Sequence, residues 1–159
     1  MVRPRPTGAD PRRSLLVGGM IGVAVMAAVD EIVFHQILAW HHFYDRSTTR
    51  VGLLSDGLLH AVELLLLVAG FFLLAALRRR AALHTRRAWA GFLLGAGGFQ
   101  LFDGVVNHKV FRLHQIRYDV VDLVVYDAVW IGAAVLLLAA GAAVALTGRG
   151  PRTPATASS

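Results

Sequence analysis

Residues 15–42 read LLVGGMIGVAVMAAVDEIVFHQILAWHH. The stretch opens with an apolar run rich in Gly and Ala and closes on Asp30, His35 and His41, spaced D-x4-H-x5-H. Residues 103–115, DGVVNHKVFRLHQ, repeat that spacing as Asp103, His108 and His114, each 73 positions later. Ionisable residues are costly inside apolar helices. Three of them recurring at one offset therefore point to an internal duplication and to a shared polar site.

Outward from this stretch the chain divides into apolar runs at about 14–39, 53–77, 88–111 and 120–146. Each has roughly the 20 residues that cross a bilayer as a helix. Composition agrees: of 159 residues, 56% are hydrophobic and 16% charged, against about 25% charged in a soluble domain. Cys is absent, which excludes disulfides, thiolate metal sites and cysteine nucleophiles. No Ser lies in a triad pattern, and neither H-E-x-x-H nor E-x-x-H occurs, so hydrolase, zinc-protease and carboxylate di-iron chemistry lack their motifs.

The expected fold is all-α: a four-helix transmembrane bundle of two parallel two-helix repeats, about 15–77 and 88–146. Asp56 and Asp127, and Val68-Ala69-Gly70 and Ala139-Ala140-Gly141, extend the repeat at an offset of 71. Short links favour antiparallel packing of consecutive helices. Gly18, Gly22, Gly91, Gly95, Gly132 and Ala140 suit close helix contact. Residues 1–13 are expected to form a flexible basic tail and residues 147–159 a disordered polar one. A cleavable signal segment is disfavoured, because the first run is long and shares its pattern with the third.

Arg3, Arg5, Arg12, Arg13, Arg78, Arg79, Arg80, Arg86, Arg87, Arg149 and Arg152 fall at one end of such a bundle, and Arg46, Arg50, Lys109, Arg112 and Arg117 at the other. The positive-inside rule then puts both termini in the cytoplasm. The formal charge of +6 reads as topology and lipid attraction; nucleic acid is not an expected partner.

With that topology the polar residues gather near the outer face. His35, His60 and His108 are the expected metal ligands, and His41 and His114 form a further outer set. Asp30, Asp56, Glu63, Asp103 and Asp127 are expected to support them or to ligate. Asp56 also reads as a cap of the second helix. On a straight α-helix His35 is rotated about 140° from Asp30, and His41 lies about 16 Å beyond Asp30. Imidazole and carboxylate accept copper, iron or zinc, and imidazole accepts haem. A hydrogen-bonded scaffold without metal and a proton or small-solute path are the other readings.

The strings DEIVFHQILAWHH and FDGVVNHKVFRLHQIRYD resemble those of a bacterial family of small membrane proteins with no assigned function. The resemblance spans residues 15–146. It implies four membrane helices and supports the Asp and His positions. Asp103-Gly104 fits the family's Asp-Gly, whereas Asp30-Glu31 departs from it, which argues against a shared role for Glu31. Some members of that family lie near respiratory-oxidase assembly genes, so the resemblance implies metal or haem handling and a respiratory assembly partner; a homo-oligomer is the other expected partner.

Overall fold

The structure, a computed structural model, describes residues 8–147. Helix α1 runs Pro11–Val29 and continues as a π-helix, π1, over Asp30–Ile37. α2 spans Thr49–Arg79. α3, Thr85–Phe102, passes into a second π-helix, π2, over Asp103–Val110, and α4 spans Val124–Leu146. The expected tails lie outside the described residues except at their inner edges, where α1 has already begun at Pro11.

Capping chemistry fixes the helix starts. Asp10 accepts the Arg13 N–H at 3.0 Å, with Pro11 in the first turn. Thr48 accepts the Val51 N–H, and His84 Nδ1 accepts the Arg87 N–H. Because α2 begins at Thr49, Asp56 lies two turns inside it and does not cap it.

All four helices, with their π extensions, are long and apolar enough to cross a membrane. Large apolar side chains such as Leu58, Leu65, Phe72, Val129 and Leu136 are exposed. A water-soluble monomer rarely carries so continuous an apolar exterior; lipid covers it in a multi-pass membrane protein.

α1 and α3 form the central pair, with α2 on α1 and α4 on α3. Glycine permits that close approach. A Cβ on Gly18 would lie 2.0 Å from Ala88 O, and one on Gly91 2.0 Å from Leu15 O. Gly22 against Phe92 O and Gly95 against Gly19 O repeat the arrangement at 2.1 Å. These contacts ascend both helices together, so α1 and α3 run parallel. Contrary to the short-link expectation, α2 and α3 do not pack on each other among the described residues. Gly132 faces open space and Ala140 is exposed, so neither serves close packing.

The halves make matching contacts. Gly70 of α2 meets Ile21, and Gly141 of α4 meets Leu94, the residue 73 positions after Ile21. Asp10 bridges to Leu83, again 73 positions on. That bridge and the Ser14 hydroxyl, which accepts the His84 N–H at 2.9 Å, place the start of α1 beside the α2–α3 link.

Candidate metal centre

At the opposite end of the bundle the two π-helices shape a buried polar cluster. The Leu38 N–H donates to Val33 O at 2.9 Å and the Phe111 N–H to Val106 O at 2.8 Å, both spanning five residues. The D-x4-H motif has that same five-residue spacing. The wider π turn therefore removes the α-helical offset and brings each His back over its Asp. His35 Nε2 lies 3.7 Å from Asp30 Oδ2. His108 Nε2 lies 3.1 Å from Asp103 Oδ2, out of line for a hydrogen bond.

Each π-helix then stops on a left-handed residue, Ala39 at φ 48° and Arg112 at φ 51°. The Trp40 N–H donates to Phe34 O, and the Leu113 N–H to Asn107 O, both at 2.9 Å. This reversal folds His41 and His114 back under the helix ends. Both residues, expected as a further outer set, are buried. The His35 and His41 ring centroids are 4.4 Å apart, and those of His108 and His114 4.6 Å. His41 and His114 stack on each other at 4.4 Å with 6° between planes.

Their hydrogen bonds decide which nitrogen is free. His41 Nδ1 donates to Ile116 O at 2.9 Å, and His114 Nδ1 donates to Phe43 O at 2.8 Å. A carbonyl only accepts, so each Nδ1 carries the proton and each Nε2 keeps its lone pair. Both Nε2 atoms are buried without a hydrogen-bond partner. Burial, with repulsion from the neighbouring histidines His114, His35 and His108, pushes the His41 pKa down to about 2. Burial likewise pushes His114 down to about 4, against the opposing pull of Asp103. Both rings are therefore neutral at physiological pH. His35 presents Nδ1 to Glu31 Oε2 at 2.7 Å and to Asp56 Oδ1 at 3.3 Å, and its Nε2 is also unbonded.

Beyond His35, the first half carries more acid than the second. Asp56 Oδ1 accepts the Phe43 N–H at 2.7 Å, and Asp56 Oδ2 accepts His42 Nδ1 at 2.6 Å. Gln36 donates to Glu31 Oε1 at 3.0 Å. Glu63 is bonded to His60, whose Nε2 lies 3.8 Å from Glu31. In the second half Gly104 stands opposite Glu31, and a Cβ there would lie 2.6 Å from the Trp130 ring. Gln100 anchors Trp130 by bonds in both directions, 2.9 Å to its carbonyl and 3.1 Å from its indole N–H. Ala134 occupies the position corresponding to Glu63. Asn107 donates to Asp103 at 2.9 Å. Asp127 lies apart, paired with Lys109 Nζ at 2.5 Å.

Three all-buried sets have their ligand atoms within 4.8 Å of one another: His35, His41 and His114; Asp103, His108 and His114; and Glu31, His35 and Asp56. The structure thus joins His35 to His41 and His114, with His108 beside them. His60 and Glu63 remain on the flank of the first half. The i, i+4 spacing of Glu31 to His35 is visible in the sequence, but the departure from the family's Asp-Gly argues against Glu31; the structure sets its Oε2 2.7 Å from His35 Nδ1.

Residues 17–148 match the family described as "Predicted membrane protein (DUF2243)", and the chain belongs to that family. No curated protein and no solved structure matches it.

Proposed function

We propose that this family member is a membrane metal-binding protein that holds an ion through Nε2 of His35, His41 and His114. One observation carries the reading. In all three rings Nδ1 faces an acceptor, carbonyl or carboxylate, while the buried Nε2 has no hydrogen-bond partner. An outer carbonyl or carboxylate on the far nitrogen is how proteins orient histidine ligands and raise their basicity. Asp30 and Asp103 stand close by to balance the charge of a cation, and His108 with Asp103 offers further ligands on the other side of His114.

Three neutral imidazoles suit copper, iron or zinc. Haem is disfavoured: histidine rings in contact at 4.4 Å leave no slot for a porphyrin. Matched contacts 73 residues apart support two parallel repeats about an axis between His41 and His114. The arginine distribution supports cytoplasmic termini, with the site toward the outer face of a bacterial inner membrane. Respiratory metal handling is the role that this placement and the family resemblance favour.

Cobalt(II) added to metal-stripped protein in mild detergent tests the ligand set. Intense visible d–d bands of a nitrogen-ligated, low-coordinate ion are expected, and His114→Ala removes the share that comes from the imidazole trio. Only the weak spectrum of solvated cobalt, or a spectrum unchanged in shape and intensity by His114→Ala, would contradict the proposal. A hydrogen-bonded scaffold without metal would give the solvated spectrum.

A further inference from the structure

We propose a second, carboxylate-rich cation site in the first half of the protein, formed by Glu31, His35 and Asp56. Its ion is a divalent cation of the zinc or manganese kind, held by two oxygens and one nitrogen. This deepens the function proposed above, because His35 serves both sites: Nδ1 faces Glu31 and Asp56, and Nε2 remains for the imidazole trio.

The two halves differ in how they neutralise acid. In the second half, Asp127 on α4 is met by the ammonium of Lys109 from π2 at 2.5 Å. The corresponding residues of the first half are Asp56 on α2 and Gln36 on π1, so the ammonium is replaced by a neutral amide. Meanwhile the acid increases: Glu31 and Glu63 stand where the second half has Gly104 and Ala134. Asp30, Glu31, Asp56 and Glu63 are all buried, and the ion-pair partners they have among the described residues are histidines. Several carboxylates in a low-dielectric interior repel one another and lose hydration, and a divalent ion offsets both costs.

Geometry selects the seat of that ion. Glu31, His35 and Asp56 are buried, and their ligand atoms lie within 4.8 Å of one another. Glu31 Oε2 is buried without a hydrogen-bond partner while pointing at this set. Gln36, by contrast, holds Oε1 of the same carboxylate. A set of two oxygens and one nitrogen is harder than the imidazole trio, so the two positions differ in metal preference. When both ions are bound, His35 is an imidazolate: its ring proton passes to solvent, and its two nitrogen lone pairs ligate one ion each.

Zinc titration of metal-stripped protein, read by calorimetry and by elemental analysis after desalting, tests this. Two equivalents per chain are expected. Glu31→Gln, which keeps shape and removes charge, should retain one. Gln36→Lys copies the second half at an exposed position and should also retain one, because its ammonium replaces the cation. His114→Ala should lose the trio's equivalent and keep the carboxylate site's. A single equivalent in the parent protein, unchanged by Glu31→Gln and Gln36→Lys but lost in His114→Ala, would overturn the second site and leave the trio standing. Loss of nothing in His114→Ala would instead count against the trio.

Discussion

His41 and His114 stack face to face across the centre of the bundle, 4.4 Å apart, and each is tied by its Nδ1 to a carbonyl of the opposite half. The two bonds are reciprocal, since Phe43 and Ile116 are themselves 73 residues apart. Two π-helices, two left-handed turns and two loops converge on this pair. The stack therefore couples the packing of the central helices to the geometry of the candidate site.

That coupling depends on the α1–α3 contact. Gly22→Ala or Gly95→Ala places a methyl about 2.1 Å from a carbonyl oxygen of the facing helix, so the helices must separate. Overpacking of this kind costs about 1–3 kcal/mol. Thermal denaturation in detergent should show a lowered Tm for each. Gly98→Ala, with nothing within 4 Å of the new methyl, should match or exceed the parent.

The non-glycine left-handed residues at Ala39 and Arg112 store strain. Ala39→Gly and Arg112→Gly relieve it and should stabilise by about 0.5–1 kcal/mol, after the greater chain entropy of glycine is counted. Ala39→Val should do the opposite and reduce metal retention, because it disturbs the turn that delivers His41. Parallel melting curves and metal content check both directions.

The four spans were legible because apolar runs of bilayer length have few alternatives, and the site's residue types were legible because D-x4-H-x5-H occurs twice. The relative placement of those residues was not. An α-helical projection puts Asp30 and His35 on different faces, and it carries His41 about 16 Å from Asp30. Five-residue hydrogen bonding corrects the first relation, and the turn at Ala39 corrects the second. No glycine marks either turn. Nor does repeat symmetry show in advance that Gly104 makes room for Trp130 whereas Glu31 in the other half faces His35.

In metal-free protein His41 and His114 contribute stability that is lost as pH falls. The folded pKa values of His41 and His114, about 2 and about 4, lie below the ordinary histidine value near 6.5. Below about pH 6.5 the unfolded chain therefore binds protons that the folded chain does not, and it gains population. This contribution is fully present above pH 6.5 and is lost progressively down to about pH 4 for His114 and lower for His41. In melts of metal-stripped protein between pH 7.5 and 4.5, His41→Phe should change the slope of Tm against pH, its Tm improving relative to the parent as pH falls. A slope unchanged by that substitution would contradict the assigned neutral state.

The proposed topology, with cytoplasmic termini, rests on where the arginines fall in the sequence. Reporter fusions after Arg80 and at Ser159 should report cytoplasm, and a fusion after Thr48 the opposite side. An external Arg80 would reverse the orientation and move the histidine cluster to the inner face.

The most direct test of the account is the metal content of the protein purified without an affinity tag in mild detergent. At least one equivalent of copper, iron or zinc per chain is predicted. One equivalent should be lost in each of His41→Ala and His114→Ala, with both variants still folded by circular dichroism and gel filtration. Metal far below one equivalent in the parent protein, unchanged by both substitutions, would contradict it and leave the stacked histidines as a purely hydrogen-bonded tie between the halves.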